Sequence, residues 1–339
     1  MSALQDCIRH VVSHQHLSLS QARDALGAIL DGRATGAQIG AFLTALRMKG
    51  ETAEEIAGLA LAVRERAVDV PCDTPGIVEI CGTGGGSVRT FSISTGAAIV
   101  AAACDVPIAK QVSGPVAGHC GSSDVLRELG VDLSGVTRDP ARCLQEAGLA
   151  FLYAPAFHPS MRHVVQARAE IGLRTVFNLL GPLTNPAGAS RFVVGVAGAQ
   201  YTELIATALH LMGSDHALVV HGMVGMDEIS TFGDTQVTEV RNGDIHSALC
   251  SPEQYGIATA SAEALAGDTP EQSAATLASV LEGQEGPAAD IVTFNAAAAI
   301  YVGGKAADIQ EGILLAREAI ESGTALARLA VVREICRSH

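Results

Sequence analysis

Ile77-Val78-Glu79-Ile80-Cys81-Gly82-Thr83-Gly84-Gly85-Gly86, continuing to Thr90-Phe91-Ser92-Ile93-Ser94-Thr95, is the stretch on which the fold turns. A short apolar run ending in glycines reads as a strand entering a tight loop, and the hydroxyl-rich segment beyond it reads as a helix start. Glycines let backbone N–H groups turn toward a ligand, and a helix start adds unpaired donors and a partial positive charge. Together they make a phosphate cradle. The loop has no Walker lysine, and Ser87 breaks the G-x-G-x-x-G dinucleotide fingerprint. Taken alone, the segment also suits a plain strand-to-helix turn with a serine cap.

Downstream, apolar runs at 106–109, 149–153, 192–196 and 217–220 alternate with helical patterns such as 94–104 and 203–212. That alternation predicts an α/β domain with a central, mainly parallel sheet. Upstream the texture differs. Residues 1–68 place Ala22, Leu26, Ile29 and Leu30, then Ile39, Phe42, Leu43 and Leu46, at helical spacing, with stops at Gly32 and Gly50. Thr52 and Glu55 form a capping box before the run 56–63. The chain therefore opens with a small all-helical domain and passes into a larger α/β domain near residue 69.

With 48% apolar and only 4% aromatic residues and no Trp, the core must be built from Ala, Val, Leu and Ile, which suits close helix packing and buried parallel strands. The 22 basic and 36 acidic residues give a formal charge of −14, which opposes binding to nucleic acid, and no basic stripe compensates. Eight cysteines include no C-x-x-C pair, so they read as reduced thiols rather than zinc ligands or disulfides. No window approaches the ~18 apolar residues of a membrane span. The expected location is the cytoplasm.

Two further constellations carry chemistry. Asp227-Glu228 follows the strand at 217–220 through the glycine-bearing loop His221-Gly222-Met223-Val224-Gly225-Met226. Neighbouring carboxylates of this kind can hold magnesium, which neutralises phosphate oxygens; they equally suit acids at a helix start. The second is Arg174-Thr175-Val176-Phe177-Asn178-Leu179-Leu180-Gly181-Pro182-Leu183-Thr184-Asn185, preceded by His158-Pro159 and Arg168. Its Asn, Gly and Pro spacing reads as a structural corner, whereas the Arg168 guanidinium offers a planar fork matched to a carboxylate.

Together with Ala41-Phe42-Leu43-Thr44-Ala45-Leu46-Arg47-Met48-Lys49-Gly50 and the late Asn295-Ala296-Ala297-Ala298, these segments make the chain resemble, nearly end to end, the anthranilate phosphoribosyltransferase family. That family shares the fold of the class II nucleoside phosphorylases. The resemblance implies a helical domain of residues 1–68 joined by helices from about 165–185, and a donor domain of 69–164 and 186–339. It implies a homodimer formed through the helical domain, and transfer of phosphoribosyl from 5-phosphoribosyl 1-pyrophosphate to the amine of anthranilate, in tryptophan biosynthesis. Carried onto this sequence, Gly82, Thr83, Gly84, Gly85, Gly86, Thr90, Ser92, Ser94, Thr95, Lys110 and Ser122 would bind the donor. Arg168, His158 and Ser113 would bind the acceptor, and Ser94, Asp227 and Glu228 would organise magnesium, with no residue assigned as acid or base.

The chain departs from that pattern in one loop. Where the family usually carries Lys-His-Gly-Asn-Arg followed by Ser-Ser, this sequence reads Lys110-Gln111-Val112-Ser113-Gly114, then Ala117-Gly118-His119. Ser113 stands in place of an Asn, Gly86 in place of an Asp and Ser92 in place of another Asn. A different aromatic or heterocyclic acid as acceptor is therefore an alternative, with His119 or Gln111 as candidate compensations. Nucleoside phosphorolysis and nucleic-acid binding without catalysis rank lower, the latter opposed by the negative charge.

Overall fold

The computed structural model describes residues 3–114 and 121–337. Ala117, Gly118 and His119, named above in the altered loop, lie outside the described residues.

Four helices come first: α1 (Ala3–Val12), α2 (Leu19–Leu30), α3 (Gly36–Lys49) and α4 (Ala53–Arg64). Capping boxes start three of them, Ser18 with Gln21, Thr35 with Gln38 and the expected Thr52 with Glu55, each satisfying two orphan backbone donors. Gly50, at φ 85°, ends α3 in a conformation that favours glycine. The apolar positions at helical spacing are the buried ones, among them Leu26, Ile29, Phe42, Leu43 and Leu46. Glu55 is wholly buried yet satisfied: it accepts from Leu17 N at 2.9 Å and from Lys49 Nζ at 2.8 Å, so one carboxylate ties α3, α4 and the entry to α2 together.

The remaining chain builds the sheet and its covering helices. In order they are β1 (Val78–Gly82), α5 (Ile93–Ala103), β2 (Ile108–Val112), α6 (Ser122–Glu128), α7 (Leu133–Arg138), α8 (Pro140–Ala147) and β3 (Leu149–Tyr153). Next come α9 (Ala154–Phe157), α10 (Arg162–Ile171), α11 (Phe177–Leu180), β4 (Arg191–Gly195), α12 (Thr202–Leu211) and β5 (His216–Gly222). The chain ends with β6 (Thr235–Arg241), β7 (Asp244–Cys250), α13 (Pro270–Leu281), α14 (Pro287–Val302), α15 (Ile309–Glu321) and α16 (Thr324–Arg337). Late helices return to the first lobe, α10 packing against α2 and α3, and α11 against α4.

The sheet order is β3-β2-β1-β4-β5-β6-β7, parallel from β3 to β5 and antiparallel beyond, so the mainly parallel sheet expected from the sequence is present. Strand residues alternate between two cores. Val78, Ile80, Ile108, Phe151, Val193 and Leu218 face α5, α14 and α16, whereas Ala109, Ala150, Leu152, Phe192, Val194 and Ala217 join the core of the N-terminal helices. Two elements differ from expectation. β2 extends to Val112, beyond the apolar run, because Lys110 and Gln111 are buried with partners. The hairpin β6–β7 carries little sequence signal: β7 is mostly exposed and lacks an apolar run, although Asn242 (φ 52°) and Gly243 (φ 88°) form the left-handed pair typical of a two-residue hairpin turn.

Because β1 to β5 run parallel, the loops after them gather along one edge of the sheet. The chain passes from β1 outward to β2 and β3, then returns to place β4 on the other side of β1. That reversal opens a crevice at the carboxyl ends of β1 and β4, where doubly wound sheets bind ligands.

Candidate active site

The floor of the crevice is made of glycine. Gly82 ends β1, Gly195 ends β4, and the two are paired in register. The loop after β5 lies across them: a Cβ on Gly82 would stand 2.2 Å from Asp227 Oδ2, and one on Gly195 would stand 1.6 Å from the Asp227 carbonyl oxygen. At Gly195 only a hydrogen side chain lets the Asp227 backbone settle between the strand ends, and at Gly82 it lets the carboxylate keep its position. Gly86 is crowded in the same way, its missing Cβ 2.8 Å from Gly225 O, and Ser87 N donates to that same carbonyl at 2.8 Å. The absence of an aspartate at position 86 thus accompanies a close approach of the two loops.

In this arrangement the glycine loop already holds a carboxyl group. Gly84 N donates to Asp227 Oδ2 at 2.8 Å, and Arg174 Nη2 donates to Gly84 O at 2.8 Å. Arg174 occupies the space beside Gly85 (φ 87°), where a Cβ would lie 1.7 Å from Nη1. Thr83 N donates to Gly195 O, closing the loop onto β4. Burial raises the pKa of Asp227, opposed by the Gly84 amide and by Arg174. Glu228 is pushed well up by burial and by the neighbouring Asp227 charge, with Lys110 acting in the other direction. Two adjacent carboxylates held out of water in this way are short of positive charge, which a cation would supply.

Lys110, whose charge acts on Glu228, ties β2 to β1 and to the helix start. Its buried ammonium donates to Ile80 O at 2.6 Å and to Ser94 Oγ at 3.0 Å, fixing the hydroxyl expected to serve the metal. Among the described residues, no group of three or more His, Cys, Asp or Glu side chains could hold a metal ion by itself. A site of one or two carboxylates completed by water and substrate phosphate is the usual arrangement for magnesium, so Ser94, Asp227 and Glu228 fit that ion. Burial pushes the Cys81 thiol beside them up to about 12, which disfavours the thiolate that a nucleophile would need near neutral pH.

Other expected donor residues meet in pairs. The Ser92 and Thr95 hydroxyls lie 2.8 Å apart, and Ser92 N donates to Ser273 Oγ. Ser113 N donates to Ser122 Oγ at 3.3 Å, joining an expected acceptor residue to an expected donor residue across the altered loop. Among the described residues, no side-chain hydrogen bond ties Thr90 or Arg168 to the rest of the set, and none places a carboxylate within ion-pair distance of Arg168. Arg168 stands instead over the Phe177 ring, Cζ 5.0 Å from its centroid. A stacked, half-buried guanidinium without an anion is poised for one.

His158 is buried, and its Nε2 lies 2.9 Å from Gln111 Oε1. Burial alone lowers its pKa to about 4. An imidazole neutral when folded and titrating near its ordinary value of 6.5 when unfolded favours the folded state above pH 6.5. That contribution, on the order of 3 kcal/mol, is lost as pH falls toward 4. Asp227 and Glu228 act with the opposite sign, so the expected result is a difference: between pH 7 and 4, wild type loses more urea stability than His158→Asn. Parallel stability curves for the two proteins would exclude this environment for His158.

Several site residues escape a reading of the sequence. Gly195 carries no signal until its register with Gly82 is known. Arg174 stands within a quoted motif but reads there as part of a corner. Glu79, buried on β1, accepts from Gln111 N and from Asn185 Nδ2, while Asn185 also donates to Ala109 O. Its charged position within an apolar run is the available clue. Burial raises the Glu79 carboxyl to about 7, with Lys110 and these donors opposing.

Comparison with known proteins agrees with this geometry. The glycosyl transferase family α/β domain matches residues 74–326, and the glycosyl transferase family helical bundle domain matches residues 5–67. The anthranilate phosphoribosyltransferase of Acetivibrio thermocellus is 46% identical over 326 residues, covering 96% of this chain and 94% of that one. The crystal structure of the Thermus thermophilus anthranilate phosphoribosyltransferase superposes with a TM-score of 0.92 at 38% identity, covering 98% of this chain and 100% of that chain. The Saccharomyces cerevisiae enzyme in complex with PRPP and Mg gives 0.89 at 30% identity, covering 99% and 98%. With matching domains, fold and near full-length identity to these relatives, the chain belongs to the anthranilate phosphoribosyltransferase family.

Proposed function

We propose that this protein transfers the 5-phosphoribosyl group of 5-phosphoribosyl 1-pyrophosphate to the amine of anthranilate, releasing pyrophosphate in tryptophan biosynthesis. The observation that carries the reading is the glycine loop of β1 closed on Asp227, with Glu228 and the Lys110–Ser94 pair beside it. The yeast relative bound to PRPP and Mg supports magnesium as the cation. When bound, that ion would neutralise charge growing on the departing pyrophosphate. Ser94, Asp227 and Glu228 would hold it, while the amides of Gly84 to Gly86 and the hydroxyls of Thr90, Ser92, Thr95 and Ser122 receive phosphate oxygens. Arg168 would take the acceptor carboxylate in its planar fork, with His158 and Ser113 along the acceptor path. An aromatic amine is already a neutral nucleophile, so positioning against an oxocarbenium-like ribose contributes more than a strong base.

A domain division at 1–68 with 165–185, against 69–164 with 186–339, places this crevice beside the helical lobe. α10 against α2 and α3, and α11 against α4, support that grouping. The same lobe exposes Val12, Met48, Val165 and Leu173 on α1, α3 and the α10 region, an apolar set suited to pairing with a second copy. No described helix is long and apolar enough to cross a membrane, and a cytoplasmic location is part of the reading. A different aromatic or heterocyclic acid is the second reading, favoured by Gln111, which engages His158 where the family usually carries another histidine. Magnesium-dependent pyrophosphate release with a panel of aromatic amine acids separates the two. Anthranilate among the best acceptors supports the first, another acid clearly preferred selects the second, and no donor consumption with any of them contradicts both.

A further inference from the structure

The end of β2 and the segment after β3 meet in a connected hydrogen-bond arrangement. Gln111 is buried, and its backbone N–H is held by the Glu79 carboxylate. Its side-chain Nε2 donates to Gly181 O at 2.7 Å. A carbonyl oxygen can only accept, so this bond fixes which way the amide points: nitrogen toward Gly181, oxygen toward His158. His158 Nε2 lies 2.9 Å from that oxygen and must carry the proton to bond it. A neutral imidazole has one proton, so Nδ1 is left as a bare acceptor. That nitrogen is buried, has no hydrogen-bond partner among the described residues, and belongs to a residue only 7% exposed. A buried acceptor without a donor is costly unless something supplies one.

The surroundings suggest what supplies it. Gln111 lies near the end of β2 and His158 follows the adjacent parallel strand β3, on the edge where the glycine loop follows β1. Gly181, the anchor of the amide, lies just past Phe177 in the chain, and Arg168 rests on the Phe177 ring. One short network thus joins the unpaired imidazole nitrogen to the segment that supports the stacked guanidinium. An aromatic acid carrying an amine would offer a carboxylate to one and an N–H to the other.

Resting on the function proposed above, we infer that Gln111 is a specificity-determining positioning residue: it locks His158 in the Nε2–H tautomer so that Nδ1 accepts a hydrogen bond from the N–H of the acceptor substrate. Sites built to bond a substrate N–H reject an analogue lacking it, because their own polar group is then left unpaired. Loss of the lock therefore removes discrimination rather than donor binding.

Two readouts test this. Histidine side-chain 15N spectra of the ligand-free protein, with His158 assigned through His158→Asn, should place the proton on Nε2 and none on Nδ1. Gln111→Met, which keeps the volume and removes the amide, should average the two tautomers. Gln111→Glu in its buried, protonated form can donate its O–H to Gly181 O while the other oxygen accepts from Nε2–H, and should restore the wild-type spectrum. In the complete reaction, benzoate competing against anthranilate reports discrimination for the amine. Gln111→Met should reduce that preference about tenfold, leaving the KM for the donor within about twofold, and Gln111→Glu should recover most of it. A proton on Nδ1 in wild type, averaging in Gln111→Glu as well, or an unchanged amine preference in Gln111→Met would each overturn the inference. If no acceptor consumes donor, the proposed function fails, while the tautomer spectra still decide whether Gln111 holds the lock.

Discussion

Replacing Asp227 by Asn lowers kcat by about 10²- to 10³-fold, the usual loss when a charge-stabilising group is removed from a leaving-group site. The substitution preserves shape, and an Asn oxygen can still accept from Gly84 N, so the fold of the glycine loop is retained. What disappears is the negative charge that would anchor a cation against pyrophosphate. Glu228→Gln follows the same direction, and because burial and Asp227 both disfavour the Glu228 carboxylate, its loss also relieves an unfavourable charge pair. Both variants should therefore fold at least as stably as wild type while losing activity. Steady-state rates across a magnesium titration, together with urea denaturation, check this. Activity within about tenfold of wild type at every magnesium concentration would remove the acidic pair from the reaction.

Gly195→Ala is expected to be nearly as damaging for a purely steric reason. The added Cβ would stand 1.6 Å from the carbonyl oxygen and 2.4 Å from the carbonyl carbon of Asp227, which are backbone atoms that cannot rotate aside. Overpacking of this kind costs roughly 1–3 kcal/mol, and relief requires the 222–228 loop to lift from the strand ends. At Gly82 the nearest atom is the Asp227 carboxylate, which a rotation can move. The expected order is therefore Gly195→Ala worse than Gly82→Ala in thermal midpoint, with activity reduced at least about 10²-fold in Gly195→Ala because Asp227, the residue proposed to hold magnesium, is displaced. Equal stability of Gly195→Ala and wild type would mean that the loop does not pack on β4 as described.

These two predictions also mark the limit of what a sequence discloses. The parallel strands are legible because strands buried on both faces read as apolar runs, and the 149–153 run coincides with β3. β2 reads as ending at Ala109 because Lys110 and Gln111 look like the end of a strand. They are buried because Ile80 O, Ser94, Gly181 O and His158 satisfy them. Glycine loop and acidic pair are each visible as local patterns. Their contact, through Gly84 N and Asp227, joins residues 143 positions apart and depends on the register of Gly82 with Gly195. No local pattern carries such a register. Arg168 and His158 draw their roles from resemblance; the structure adds that one is stacked on an aromatic ring and the other holds an unpaired nitrogen.

The most direct test of the whole account is stoichiometry. With magnesium and 5-phosphoribosyl 1-pyrophosphate in excess, limiting anthranilate should disappear one for one with pyrophosphate release, the reaction should stop when magnesium is chelated, and Asp227→Asn should slow both signals together. Pyrophosphate release that continues unchanged without anthranilate, or no consumption of either substrate by the folded protein, would contradict it.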